Sequence, residues 1–85
     1  MAYNVIVQPA AQKQISRLSS DVQRRVVAKL FALADDPRPA GCKKLSRPDD
    51  LYRIRIGDYR VIYHIQDRNL IVTIVKVGHR GGVYE

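Results

Sequence analysis

Eighty-five residues with 46% hydrophobic content suffice for one small core and exclude wholesale disorder. Fifteen Lys and Arg against eight Asp and Glu leave a net charge of +7, which points to a polyanionic partner, nucleic acid first. The single cysteine, Cys42, excludes an intramolecular disulfide, fits a reducing cytoplasm, and joins no Cys/His cluster that would hold zinc.

The N-terminal stretch has no basic segment followed by a long apolar run, so no signal peptide is expected. No run is apolar enough to span a membrane. Tyr3 to Gln8 alternates as a short strand, with Val5 and Val7 opposite Ile6. Pro9 suits the first turn of a helix, where its missing N–H does no harm. Ala11, Ile15 and Leu18 then fall on one helical face. Ser20-Asp21-Val22-Gln23 fits a capping box, with Ser20 as N-cap and Gln23 reaching back. Val22, Val26, Leu30 and Leu33 recur at helical steps, while Lys13, Arg17, Arg24, Arg25 and Lys29 occupy the other faces. These two helices form an αα-hairpin.

Asp35-Asp36-Pro37-Arg38-Pro39-Ala40-Gly41 breaks the second helix, and the stretch to Asp50 reads as a long loop exposing Lys43, Lys44 and Arg47. Three strands are predicted next, over 51–56, 59–66 and 70–77. Gly57-Asp58 suits a type II′ hairpin and Asp67-Arg68-Asn69 a second turn. The expected fold is α+β with the order β-α-α-β-β-β. A helical hairpin packs on one face of a mainly antiparallel four-stranded sheet, and residues 1–85 form a single domain.

The two-residue hairpin sets a register. Ile56 faces Tyr59, Arg55 faces Arg60, Ile54 faces Val61 and Arg53 faces Ile62. Tyr52, Ile54, Ile56, Tyr59, Val61 and Tyr63 then lie under the helices, with Arg53, Arg55 and Arg60 on the opposite face. Like charges facing each other across a sheet are unfavourable, so the pair Arg55–Arg60 implies a carboxylate nearby or an anion to come. Asp49, Asp50 and Asp58 are the nearby carboxylates. A three-residue second turn would set Arg60 opposite Lys76, and a two-residue turn would not. The same open face is expected to carry Ile62, Leu70, Val72 and Ile74 uncovered, the kind of patch that marks a partner surface.

Arginine gives planar, bidentate contact to phosphate, and several together stabilise a pentacoordinate phosphorane. RNA brings its own nucleophile, the 2′-OH, so cleavage on such a face needs neither metal nor cofactor. His79 is the better placed of the two histidines for proton transfer, and Tyr84 suits base stacking. The chain shows neither paired carboxylates in an acid/base arrangement nor a glycine-rich phosphate loop. That excludes glycosidase and nucleotide-hydrolase readings.

The segments Leu51-Tyr52-Arg53-Ile54-Arg55-Ile56-Gly57-Asp58-Tyr59-Arg60-Val61-Ile62-Tyr63 and Val77-Gly78-His79-Arg80, the ending Val83-Tyr84 and the loop Lys43-Lys44-Leu45 together resemble the RelE family of toxin–antitoxin toxins over nearly the whole length. The resemblance implies metal-free cleavage of mRNA in the ribosomal A site by 2′-OH attack, leaving a 2′,3′-cyclic phosphate. It implies that Arg53 and Arg55 contact and help activate the scissile nucleotide, that Arg60 and Arg80 stabilise the phosphate, and that Tyr84 stacks on and orients the substrate. Lys43, Lys44, Arg47 and Lys76 are then expected to bind RNA or the ribosome. The implied partners are mRNA, the ribosome and a cognate antitoxin that covers this surface, with operator DNA reached mainly through the antitoxin complex. Some members have lysines where this chain has Arg53 and Arg55. A guanidinium is a poor proton donor, so the general-acid role falls to His79 or to the ribosome itself. The alternatives are a ParE-like inhibitor of DNA gyrase and a non-catalytic nucleic-acid-binding module.

Overall fold

The structure, a computed structural model, describes residues 2–46 and 50–79. The element order is β1 (Asn4–Val7), α1 (Pro9–Ser16), α2 (Ser20–Asp35), β2 (Lys43–Ser46), β3 (Leu51–Ile56), β4 (Tyr59–Gln66) and β5 (Ile71–His79). Two helices pack on one face of a five-stranded sheet in the order β1-β5-β4-β3-β2. β1 runs parallel to β5, and every other neighbouring pair is antiparallel.

Pro9 stands in the first turn of α1, as the sequence predicts. The cap of α2 lies one residue earlier than the capping-box reading. Ser19, in an extended conformation, is the N-cap, and its Oγ accepts from the Val22 N–H at 3.4 Å. Gln23 makes no box. Its Nε2 donates to the Leu18 carbonyl at 3.1 Å and the Ser16 carbonyl at 3.3 Å, satisfying the open end of α1 instead. Ser19→Ala should therefore cost about 1 kcal/mol in a denaturant melt, with Ser20→Ala close to neutral. The opposite ranking would restore Ser20 as the cap.

Val26, Leu30 and Leu33 of α2 and Ala11 of α1 bury against Tyr52, Ile54, Ile56, Val61, Tyr63, Ile65, Val72, Ile74 and Val77 of the sheet. The helix ends at Asp36, whose extended backbone (φ −144°, ψ 94°) is what a residue before proline requires.

The fifth strand is the first departure from expectation. Lys43–Ser46 lies in the stretch read as a loop, where it pairs with β3 as an antiparallel edge strand. Four residues ending in a register shift carry no legible alternation of their own.

The β3–β4 hairpin has the predicted register throughout, from Ile56 opposite Tyr59 to Arg53 opposite Ile62. Gly57 takes φ +58° and Asp58 does not take a positive φ, as a type II′ turn demands. A Cβ at Gly57 would also stand 2.7 Å from Nη2 of Arg25, an exposed side-chain end that can swing aside, so the positive φ is what calls for glycine here.

The β4–β5 hairpin does not have the three-residue register that would set Arg60 opposite Lys76. Gln66 pairs with Ile71, so the turn spans the four residues Asp67–Leu70, with Leu70 at a left-handed φ of +55°. Sequence alone does not announce a leucine there. One added residue flips every side chain of the next strand. Val72 and Ile74, expected on the open face, are fully buried beneath the helices instead, and Leu70 sits in the turn at 37% exposure. Of the four apolar residues predicted to lie bare, only Ile62 is on the open face, and it is buried there. The second register change, at Val75, sets Ile62 opposite Lys76 and Arg60 opposite Gly78.

Candidate functional site

The open face of the sheet can be read strand by strand from its register. One row runs Lys43 (β2), Arg53 (β3), Ile62 (β4), Lys76 (β5), and the next runs Arg55, Arg60, Gly78. Adjacent strands lie about 4.8 Å apart, so five cationic side chains share an area two rows deep. Arg55 faces Arg60 directly, as expected. Arg55 is exposed, and Arg60 and Lys76 are half-buried.

Arg53 is only 7% exposed, and its Nε has no hydrogen-bond partner among the described residues. A buried guanidinium without a carboxylate is costly to the fold. Neither of the nearby acids among the described residues relieves it. Asp50 Oδ1 is taken by Lys44 Nζ at 3.2 Å, and among the described residues neither Asp58 nor Arg53 nor Arg55 makes an ion pair. Among the described residues, Arg53 and Arg55 therefore stand without a carboxylate partner.

Two predicted site residues lie elsewhere. His79 pairs with Tyr59, and the two rings meet edge to face with centroids 5.4 Å apart. Tyr59 shares its face with Ile56 and Val61, so His79 points to the helix side of the sheet, away from Arg55 and Arg60. Nothing in the sequence warned of this, because the face His79 takes depends on the register change at Val75. Lys44 pairs with Tyr52, also on the helix side, with its ammonium 5.9 Å from the Tyr52 ring centroid. Lys43, by contrast, stands opposite Arg53 on the open face. Arg47, Arg80, Tyr84 and the carboxylate Asp49 lie outside the described residues.

Sequence reasoning missed the contribution of α2. Arg25 and Lys29, with the small residues Ala28 and Ala32 beside them, line a cavity of about 550 Å³ with Arg55, Ile56 and Gly57. Lys29 and Ala32 continue into a second cavity of about 350 Å³, lined also by Gly41, Arg53 and Arg55. The positive surface therefore wraps around the end of β3 beyond Arg53, which β2 leaves unpaired. Arg25 and Lys29 one helical turn apart, beside alanines, were the available signal, but they read as an ordinary solvated helix face.

A separate network fixes the far end of the site. Arg38 donates to both carboxylate oxygens of Asp67 at 3.1 and 2.9 Å and through Nε to the Tyr52 hydroxyl at 3.2 Å. Its guanidinium also sits 5.1 Å from the Tyr52 ring centroid. The Tyr3 hydroxyl donates to Asp67 at 2.7 Å. The Arg38 hydrogen bonds, then that of Tyr3, hold the Asp67 carboxyl below the usual carboxylate range. The bond to Asp67 raises the Tyr3 hydroxyl in turn. The Tyr63 hydroxyl donates to the Pro37 carbonyl at 2.7 Å, and burial pushes its pKa well above the ordinary tyrosine value. Tyr52 and Tyr63 stack with centroids 6.0 Å apart. The loop before β2 is thereby tied to the β4–β5 turn and to the residue preceding β1.

Residues 5–84 match the profile of the family described as ParE toxin of type II toxin-antitoxin system, parDE. The chain is 30% identical to the mRNA interferase toxin RelE of Escherichia coli K12, over 94% of this chain and 85% of that protein. It is 28% identical to a putative toxin RelE1 of Methanocaldococcus jannaschii, over 100% of this chain and 98% of that one. In three dimensions it is similar to the toxin in an archaeal RelE–RelB complex of Pyrococcus horikoshii, with a TM-score of 0.86 and 32% identity over 96% of this chain and 99% of that one. The intact E. coli RelBE toxin–antitoxin complex gives a TM-score of 0.79 at 30% identity, covering 92% of this chain and 96% of that chain.

Proposed function

The chain belongs to the ParE toxin family of type II toxin–antitoxin systems, as a RelE-like member, and from that premise we propose that it cuts mRNA on the ribosome. The carrying observation is the open face, where Arg55 faces Arg60 beside a buried Arg53 and no described carboxylate pairs with Arg53 or Arg55. A phosphodiester supplies the missing anion.

In this reading the 2′-oxygen of the nucleotide before the cut attacks the adjacent phosphorus, and the bond to the 5′-oxygen breaks. The product ends in a 2′,3′-cyclic phosphate. Arg55 and Arg60 grip the non-bridging oxygens, where the extra charge of the phosphorane develops, and Arg80 adds a third guanidinium from the tail. Arg53 lies deeper and holds its neighbours in position. Tyr84 stacks on a base and orients it. Lys43 and Arg47 extend the field to RNA beyond the cut, Lys76 stands beside Arg60, and Lys44 contributes from the helix side. The positive charge draws the toxin to ribosomal RNA. The similar toxins are found in complex with RelB; in this reading a cognate antitoxin neutralises the chain by covering this face, and operator DNA is reached through that complex.

The family profile is named for ParE, which favours one second reading, a ParE-like inhibitor of DNA gyrase. Induction of the chain alone, followed by primer extension on cellular mRNA, separates the two. In-frame cuts that disappear with Arg80→Ala and on co-expression of the antitoxin are the expected result. Growth arrest with intact mRNA and gyrase-dependent DNA breaks would establish the alternative.

A further inference from the structure

We propose that Lys76 donates the proton that the departing 5′-oxygen takes up as the phosphodiester breaks. This rests on the reading of the chain as an mRNA endonuclease and supplies the group its arginines cannot.

The placement of Lys76 depends on one irregularity. Along β5, Val72 and Ile74 face the core, while Ile71 and Thr73 face outward. Strict alternation would send Lys76 into the core and Val75 and Val77 onto the open face. Instead Tyr63 pairs with Ile74 while Ile62 pairs with Lys76, so Val75 is the extra residue of a β-bulge. Beyond it, Val77 is buried and Lys76 is half-buried on the arginine face. Bulges re-aim side chains beside active sites. This one exchanges a valine for an ammonium at the face where Arg60 stands.

Lys76 is the direct neighbour of Ile62 and the diagonal neighbour of Arg60. Diagonal positions lie about 7–8 Å apart, within the reach of long side chains. The direct β5 neighbour of Arg60 is Gly78, which has no side chain to fill the space between them. Other donors among the described residues are worse placed. The guanidinium groups of Arg53, Arg55 and Arg60 hold their protons too firmly. His79 lies on the other face. His64 shares the open face but stands two rows from Arg60, between Leu51 and Thr73. Lys43 is exposed at the start of the edge strand β2, where a lysine already serves to discourage edge-to-edge pairing.

The step balances as follows. The 2′-oxygen forms its bond to phosphorus and its proton passes to water. The P–O5′ electron pair stays on the 5′-oxygen, which takes a proton from the Lys76 ammonium, and water then reprotonates the amine. The test uses ribosomes programmed with a short mRNA carrying either oxygen or sulfur at the bridging 5′ position of the cut, since a thiolate leaves without protonation. Lys76→Ala and Lys76→Arg should cleave the oxygen mRNA roughly 10²–10⁴-fold more slowly than wild type. Both should cleave the sulfur mRNA at close to the wild-type rate. Antitoxin binding by each variant checks that it folds. Near-normal cleavage of the oxygen mRNA by both variants would overturn the proposal, as would an equal defect on both substrates, which marks a phosphate contact only. Wild type that cuts neither substrate overturns the nuclease reading itself, and the proposal with it.

Discussion

Arg55→Ala should slow mRNA cleavage by roughly 10²–10³-fold and leave the protein no easier to unfold. The activity loss follows from removing one preorganised charge from a developing phosphorane. The stability expectation follows from the register. Arg55 directly opposes Arg60, and like charges so placed cost up to about 1 kcal/mol. Arg55 is exposed and makes no ion pair among the described residues, so truncation leaves no carboxylate stranded. Cleavage rates on programmed ribosomes and urea melts of the same preparation decide the matter. A variant that loses activity because it unfolds would show a clear drop in its urea midpoint, and that result would make Arg55 a structural residue.

Tyr63→Ala should have the largest effect on the fold, about 3–5 kcal/mol by analogy with other buried aromatic truncations. Tyr63 is fully buried, stacks on Tyr52, and holds the Pro37 carbonyl through its hydroxyl. A small domain has only about 5–15 kcal/mol of stability, so this variant should be largely unfolded near body temperature. Tyr63→Phe separates the two contributions. It keeps the packing and strands one carbonyl, for about 1–3 kcal/mol. Thermal unfolding by circular dichroism reads both variants. If the two cost the same, the hydroxyl rather than the ring is what the core needs.

The parts of the fold that sequence disclosed are those governed by local rules. Pro9 opened α1, the spacing of Val26, Leu30 and Leu33 gave α2, and Gly57-Asp58 set the register that brings Arg55 opposite Arg60. The misreadings arose where one residue changes the count. Leu70 takes a left-handed conformation that leucine rarely adopts, and Val75 bulges with no glycine to mark it. Together they decide which side of β5 faces the helices. The first moves Val72 and Ile74 into the core, and the second keeps Lys76 on the open face where the sequence put it. β2 was hidden because an edge strand of four residues borrows its structure from β3. Arg38 with Asp67, and Arg25 with Gly57, are meetings between distant parts of the chain, and no local pattern encodes them.

The parallel pairing of β1 with β5 has a bearing on time. β1 has no other strand neighbour, and its register partners begin at Ile71. The opening segment of the chain must therefore wait, unpaired, until the closing strand has been made. Contacts so distant in sequence close slowly, because the intervening chain loses its loop entropy before they form. The hairpin of β3 and β4, and the helices, can assemble earlier. The cationic surface needs β5 as well, since Lys76 and Gly78 complete its rows. The cationic surface is therefore among the last parts of the described fold to be completed, once β5 has docked.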